Sequence, residues 1–287
     1  MKALIKKSVD SPVHSFMVRE LIEPQFDPTW HFHPHYQLFT VLDGNGTRFV
    51  GDNIRLFMPE DTVFLGPNIP HVWRSDHSEK AHNHGIVVYF TEDFLGKEFF
   101  EKPEMFLIKQ LFANSQRGLE IIGDTRVSLR KSLMELVKLS GFDSILKLLS
   151  ILNELSHSTE YRYITTPNYV NTHKISETER MQKVHEYVMQ HFKEEISLSE
   201  LASLICMSES AFCRYFKNRT NKTFSDFVSE VRIGYACKLL MDNKLSVTQI
   251  ALESGFNTIS NFNRQFKNLM GKSPLQYQKE FLSQVMF

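Results

Sequence analysis

The chain has 287 residues, with 33 Lys+Arg against 33 Asp+Glu, 42% hydrophobic and 23% charged residues. That balance excludes a disordered, collagenous or coiled-coil rod chain, and the length predicts two domains with a core in each. Apolar runs such as Ile86 to Phe90 and Ile145 to Leu152 fall far below the roughly 18 residues of a membrane span. Lys2, Lys6 and Lys7 lead into no apolar signal stretch, so the expected location is the cytoplasm, with no membrane partner.

The first hundred residues are aromatic and β-branched, broken by Asp43-Gly44-Asn45-Gly46, Val50-Gly51-Asp52-Asn53, Pro59-Glu60-Asp61 and Gly66-Pro67-Asn68. Strands separated by such turns predict a β-sandwich or small barrel, with strands over Tyr36 to Leu42, Thr47 to Val50, Thr62 to Leu65 and Gly85 to Phe90. After about Pro103 the period becomes helical, and Ile145, Leu148, Leu149, Leu152 and Leu155 form one stripe. The stripe reads as core against the sheet or as a dimer seam, and residues 104–157 are the expected dimerisation region of a first domain over 1–157. Residues 158–176 are polar, hold Pro167 and carry no apolar period, which predicts an interdomain linker.

From 177 to 287 every segment reads helical: Glu177 to Phe192, Leu198 to Cys206, Glu209 to Thr220, Phe224 to Met241, Val247 to Ser254, Ile259 to Met270 and Pro274 to Phe281. Ser197, Ser208, Ser246 and Thr258 stand at N-cap positions, and Pro274 suits a first turn. The three cysteines, Cys206, Cys213 and Cys237, have no C-x-x-C spacing and read as small buried apolar residues. From Lys174 onward there are 15 Lys+Arg and 12 Asp+Glu, a mild excess that permits an anionic partner.

This half repeats itself. Leu198-Ser199-Glu200-Leu201-Ala202, Met207-Ser208 and Phe212-Cys213-Arg214-Tyr215-Phe216-Lys217-Asn218 recur as Val247-Thr248-Gln249-Ile250-Ala251, Phe256-Asn257 and Phe262-Asn263-Arg264-Gln265-Phe266-Lys267-Asn268. The offset is 49 in the leading helix and 50 in the following one, so one residue is added in the turn. Each copy is a helix-turn-helix whose two Phe face inward while Arg and Lys face outward. A solvated amphipathic helix would explain one copy; two copies in register, with matching caps, point to a pair of helices that enter successive major grooves, roughly 34 Å apart.

These residues resemble the C-terminal DNA-binding domain of the AraC/XylS family of bacterial transcription regulators. The match runs over roughly 183–281 and includes Ile250 to Phe256, Phe262 to Lys267 and Gly271 to Tyr277. By this resemblance Ser210 and Arg214, and Ile259, Ser260 and Arg264, would touch bases, with Lys217 and Lys267 near phosphates. It further implies double-stranded DNA carrying two boxes about one turn apart, a second copy of the chain, and RNA polymerase as partners. Cys206 stands where the second copy has Gly255, which predicts a locally different backbone in the first turn.

In the first domain, Trp30-His31-Phe32-His33-Pro34-His35-Tyr36-Gln37 puts His31, His33, His35 and Gln37 on one face if the segment is a strand. With the glycines at 44, 46 and 51 and with Pro67 to Trp73, it resembles a cupin barrel, the usual sensor of such regulators. The metal-binding pattern of that family, His-x-His, a carboxylate and a later His, is met by His31, His33 and His71, with Gln37 in the carboxylate position. A neutral carboxamide weakens a divalent site. Three readings remain: metal ligands, polar lining of a small-molecule pocket, and histidines of packing and surface only. The expected effector residues are His31, His33, Tyr36, Gln37, His71 and Trp73, with a sugar among the effectors that aromatic walls suit. No phosphate loop, HExxH or GxSxG appears, so no catalytic residue, metal or cofactor is expected. The other class, a metal-dependent cupin oxidoreductase or isomerase carrying a helical domain, rests on the histidines alone. The expected whole is an N-terminal cupin-like β-barrel with trailing helices and a C-terminal all-α double helix-turn-helix.

Overall fold

A computed structural model describes residues 15–75, 82–167, 169, 175–220 and 222–285, and it divides into two units, 1–178 and 179–287. In the first unit, strands β1 (Phe16–Glu23), β2 (Tyr36–Asp43), β5 (Thr62–Leu65), β7 (Asn83–Phe90), β8 (Leu119–Ile121) and β9 (Tyr161–Tyr163) form one antiparallel sheet, in the order β1-β7-β2-β5-β8-β9. A second sheet has β3 (Gly46–Val50) between β4 (Asn53–Phe57) and β6 (His71–Ser75).

The large sheet is apolar on both faces, and the two-residue period sorts its side chains between two cores. Phe39, Val41, Val63, Leu65 and Val87 meet Val50, Phe57 and Trp73 of the small sheet. Tyr36, Leu38, Phe64, Ile86, Val88 and Phe90 face the other way, onto helices α1 (Phe106–Ser115), α2 (Gly123–Leu136) and α3 (Gly141–His157). Leu148, Ile151, Leu152 and Leu155 of α3 are buried in that second core. Leu148, Leu152 and Leu155 of the stripe are therefore core, with Leu149 packed against them and Ile145 half-buried. The large apolar side chains that α1 and α3 leave exposed are others, Phe106, Leu107, Phe142 and Leu146.

Between the sheets lies a fully buried cation. Arg48 sits 2.5 Å from the Asp61 carboxylate and 2.9 Å from that of Glu120, while Arg55 reaches Glu120 at 3.2 Å. Burial pulls the Arg48 pKa down; its carboxylate partners Asp61 and Glu120 outweigh that and raise it, so the guanidinium is charged.

The expected linker over 158–176 is corrected in its first half. Tyr161 to Tyr163 pair with β8 as the last strand of the large sheet, and Ile164 and Thr165 are buried. A short polar segment shows no period of its own and gains its order from the open edge of β8.

The second unit is helical among the described residues: α4 (Ile175–His191), α5 (Leu198–Leu204), α6 (Glu209–Thr220), α7 (Phe224–Asp242), α8 (Val247–Glu253), α9 (Ile259–Met270) and α10 (Pro274–Val285). Ser197, Thr223, Ser246 and Thr258 each accept the backbone N–H three residues on, and Ser246 with Gln249 closes a reciprocal capping box. Phe212 and Phe216 pack with Phe224 and Phe227. The second copy builds its own cluster from Phe256, Phe262, Phe266 and Tyr277. Of the cysteines only Cys237 is buried; Cys206 and Cys213 are exposed, against the expectation of three core thiols.

Candidate nucleic-acid interface and histidine-lined site

The two helix-turn-helix units share their turn chemistry. In the first, Cys206 N–H donates to Ser203 O and Met207 N–H to Ala202 O, at 3.0 and 2.9 Å. In the second, Gly255 N–H donates to Leu252 O and Phe256 N–H to Ala251 O, at 2.9 and 3.0 Å. Cys206 has φ +59° and Gly255 φ +83°, both left-handed. The expected difference in the first turn is thus absent: Cys206 adopts the glycine-like conformation because its side chain points to solvent. At Gly255 a side chain has no room, since a β-carbon would lie 2.7 Å from Phe192 O and 2.8 Å from Lys193 Cα. Arg232 holds the same connection by donating to Phe192 O and Glu194 O at 2.6 and 2.7 Å.

With the turns fixed, α6 and α9 bury their Phe pairs and expose the opposite faces. Ser210, Arg214 and Lys217 are exposed on α6, and Ile259, Ser260, Arg264 and Lys267 on α9. The Arg264 guanidinium donates to Asn261 Oδ1 at 3.0 Å, which steadies it one turn from the helix start. Cys213, Asn261 and Asn263 are exposed on the same two helices; helical spacing from Arg214 and Arg264 identifies them without a structure. Such faces, each at the start of a short helix after a tight turn, have the size and polarity to enter a major groove.

In the first unit the histidines converge, though not on a strand. Pro34 delays β2 to Tyr36, and His31 pairs instead with His71 in an isolated bridge, its N–H on His71 O and the His71 N–H on His31 O. Each ring has its Nδ1 bonded to the carbonyl two residues back, His31 to Thr29 O at 2.6 Å and His71 to Ile69 O at 2.7 Å. Those carbonyls accept, so Nδ1 carries a proton, and in the neutral tautomer Nε2 is left with the lone pair. His33 Nε2 donates to Gln37 Oε1 at 3.0 Å, and its Nδ1 is buried without a hydrogen-bond partner among the described residues. Burial, with His31 and His35 adding to it against the Gln37 bond, lowers the His33 pKa to about 3, so this imidazole is neutral at neutral pH.

One potential ligand atom from each of His31, His33 and His71 lies within 4.8 Å of the others. Three imidazoles, two of them oriented through Nδ1 by a backbone carbonyl and the third through Nε2 by Gln37, fit a divalent transition metal. When bound there, such an ion would supply a Lewis-acidic positive charge to this buried group of side chains.

A cavity of about 50 Å³ adjoins this group, lined in part by Asp27, His31, Gln37, Phe39, His71, Trp73 and Tyr89. It is far smaller than the roughly 300 Å³ at which sites for drug-sized molecules begin, so an ion or a small polar group fits as built and a sugar requires the walls to part. Tyr36 is withdrawn from the expected effector residues. It stands on the opposite face of β2 from Gln37, stacked among Phe64, Phe90 and Phe112, with its hydroxyl on Glu92. Asp27 and Tyr89 were missed by the sequence reading; Tyr89 pairs with Gln37 across β2 and β7, and burial raises its pKa to about 12.

The comparisons with known proteins follow this division. Residues 201–280 match a family described as Helix-turn-helix domain, and residues 18–89 one described as Cupin domain. An uncharacterized HTH-type transcriptional regulator of Bacillus subtilis is 35% identical over 100 residues, 35% of this chain and 34% of that protein. Another, of Staphylococcus aureus, is 30% identical over 135 residues, 44% of this chain and 18% of that protein. The chain thus spans about a third of the first relative and under a fifth of the second. Among solved structures, ToxT from Vibrio cholerae covers 93% of this chain and 99% of its own at 14% identity, with a TM-score of 0.37. Among the described residues no helix is long and apolar enough to cross a membrane. The chain thus carries an N-terminal part that matches the cupin domain family and a C-terminal part that matches the helix-turn-helix domain family.

Proposed function

We infer that the chain is a transcription regulator that reads double-stranded DNA through α6 and α9 and responds to a small ligand bound at the histidine-lined site of its cupin domain. The observation that carries this reading is the repetition of one unit: two turns with the same pair of backbone bonds, each followed by a helix with buried Phe pairs and an exposed Arg and Lys. Ser210, Arg214, Ile259, Ser260 and Arg264 face bases in this reading, and Lys217 and Lys267 face phosphates. The operator has two boxes about one turn apart. The regulator acts as a homodimer in the cytoplasm, contacts RNA polymerase and catalyses no reaction. Its effector site comprises His31, His33, Gln37, His71 and Trp73, with Asp27 and Tyr89.

Selection of binding sites from randomised duplex DNA with the full chain, followed by titration at several salt concentrations, tests the reading. Enrichment of paired boxes bound about a thousandfold or more above random DNA supports it. Failure to enrich any sequence overturns it. A second reading, a metal-dependent cupin enzyme, is favoured by one observation, the convergence of His31, His33 and His71. Stoichiometric metal together with turnover, in a chain that selects no DNA, would establish that reading instead.

A further inference from the structure

The segment that leaves the cupin domain is fastened at a turn that also borders the histidine site. Val50, the last residue of β3, stands directly opposite His71 of β6. The next residue, Gly51, donates its N–H to Pro70 O at 2.8 Å, one residue before His71. Asp52, buried beside it, accepts both the N–H of Thr166, at 3.1 Å, and the Thr166 hydroxyl. Gly51 itself lies so close to the same segment that a β-carbon there would sit 2.7 Å from Thr165 Cγ2 and 2.9 Å from the Tyr169 ring. From the other side Thr165 N–H and Oγ1 both donate to Arg117 O, and the Arg117 guanidinium donates to Thr165 O. Residues 164–166 and Tyr169 are therefore held between the strand connection at Arg117 and the hairpin turn at Gly51-Asp52.

We propose that the Val50–Asn53 turn couples the histidine site to the exit segment, through Asp52 and Thr166, and thereby sets DNA affinity. The inference rests on the regulator reading and names how its site is regulated. His71 is held at both sides, by the His31 bridge and by the Val50 pairing, so a ligand that draws His71 toward His31 and His33 displaces the strand pair that carries the turn. The coupling requires two arrangements of the turn, the one seen here with the Asp52 carboxylate on Thr166 and one with it released to water. A ligand that favours one of them shifts the population of the segment that leads to the reading heads. Coupling of this kind is reciprocal: loosening Thr166 must change the histidine site as much as the site changes Thr166.

The test uses the full chain in four forms: wild type, His71→Gln, Thr166→Val and the double variant. Two quantities are read, amide hydrogen exchange over 164–169 and affinity for the selected duplex. His71→Gln is expected to change exchange over 164–169 at least fivefold and to shift DNA affinity at least threefold. In the Thr166→Val background the same substitution leaves DNA affinity unchanged. Thr166→Ser, which restores a hydroxyl to Asp52, recovers the wild-type response, as a merely destabilised chain would not. Additive effects of the two substitutions on affinity, or unchanged exchange over 164–169 in His71→Gln, would overturn the proposal. If no form prefers the duplex over random DNA, the regulator reading falls, and the exchange measurement still decides whether His71 and Thr166 are coupled.

Discussion

The two helix-turn-helix turns have the same backbone and opposite tolerance for a side chain, and this difference can be measured. Replacing Gly255 by Ala places a β-carbon at φ +83° and within 2.8 Å of backbone atoms of Phe192 and Lys193. The left-handed conformation costs about 1 kcal/mol for an L-residue. Forcing apart the connection after α4, which Arg232 also clamps, costs about 1–3 kcal/mol more by analogy with overpacked interiors. The expected loss is about 2–4 kcal/mol in the helical domain. Cys206→Gly removes the same conformational cost at φ +59° but adds about 0.5–1 kcal/mol of backbone entropy, so its net effect is about zero. Guanidinium unfolding followed by ellipticity at 222 nm reads the helical domain. Trp30 and Trp73 both lie in the cupin domain, and their fluorescence is the reference. A Gly255→Ala loss below about 0.5 kcal/mol, or an equal loss in Cys206→Gly, would refute the close-approach argument.

Three other outcomes are expected. Arg264→Ala costs about 1–3 kcal/mol on the selected duplex and relaxes base choice there, while Lys267→Ala weakens all duplexes alike and lowers the salt slope by about one; titrations on specific and random DNA separate them. Burial, against a hydrogen bond with Tyr277, raises the Cys237 thiol to about 12, so at pH 8 its thiolate fraction is only about one in ten thousand. Exposed Cys206 and Cys213 react with a thiol reagent in the native chain, and Cys237 reacts only after denaturation; fast reaction of three thiols would contradict the buried placement. Asp61→Ala leaves the buried Arg48 cation with Glu120 alone and costs about 3 kcal/mol of cupin-domain stability, read from the denaturant midpoint of Trp fluorescence; Trp73, whose indole N–H donates to Asp61, stands beside the lesion.

What could be read in advance was mostly what is local. Ser197, Ser246 and Thr258 cap helices at the positions expected of them, because a side-chain oxygen three residues before a backbone N–H needs no distant partner. The strands at Tyr36, Thr62 and Gly85 were legible from turns and composition, whereas β1 and β9 were not, since edge strands with mixed polarity acquire their order from a neighbour. Tyr36 reads as an aromatic wall of the effector site, yet adjacent strand residues such as Tyr36 and Gln37 face opposite cores when a sheet is covered on both sides. Pro34 broke the expected strand, and the histidines still converged because the His31–His71 bridge brings two distant segments together. The Cys206 backbone could not be anticipated from residue type, because whether a left-handed turn tolerates a side chain depends on what stands over it.

The separation of faces on α6 and α9 has a consequence for change over generations. The Phe pairs and capping residues that keep each helix in place share no position with the exposed residues to which the proposed function assigns base contacts. On that proposal, substitutions at exposed Ser210, Ile259 or Ser260 alter the message that is read while leaving the reader intact, and they can accumulate one at a time without an unfolded intermediate. The same property makes these positions a natural place to randomise when a new operator is sought, with the aromatic clusters left untouched as the frame.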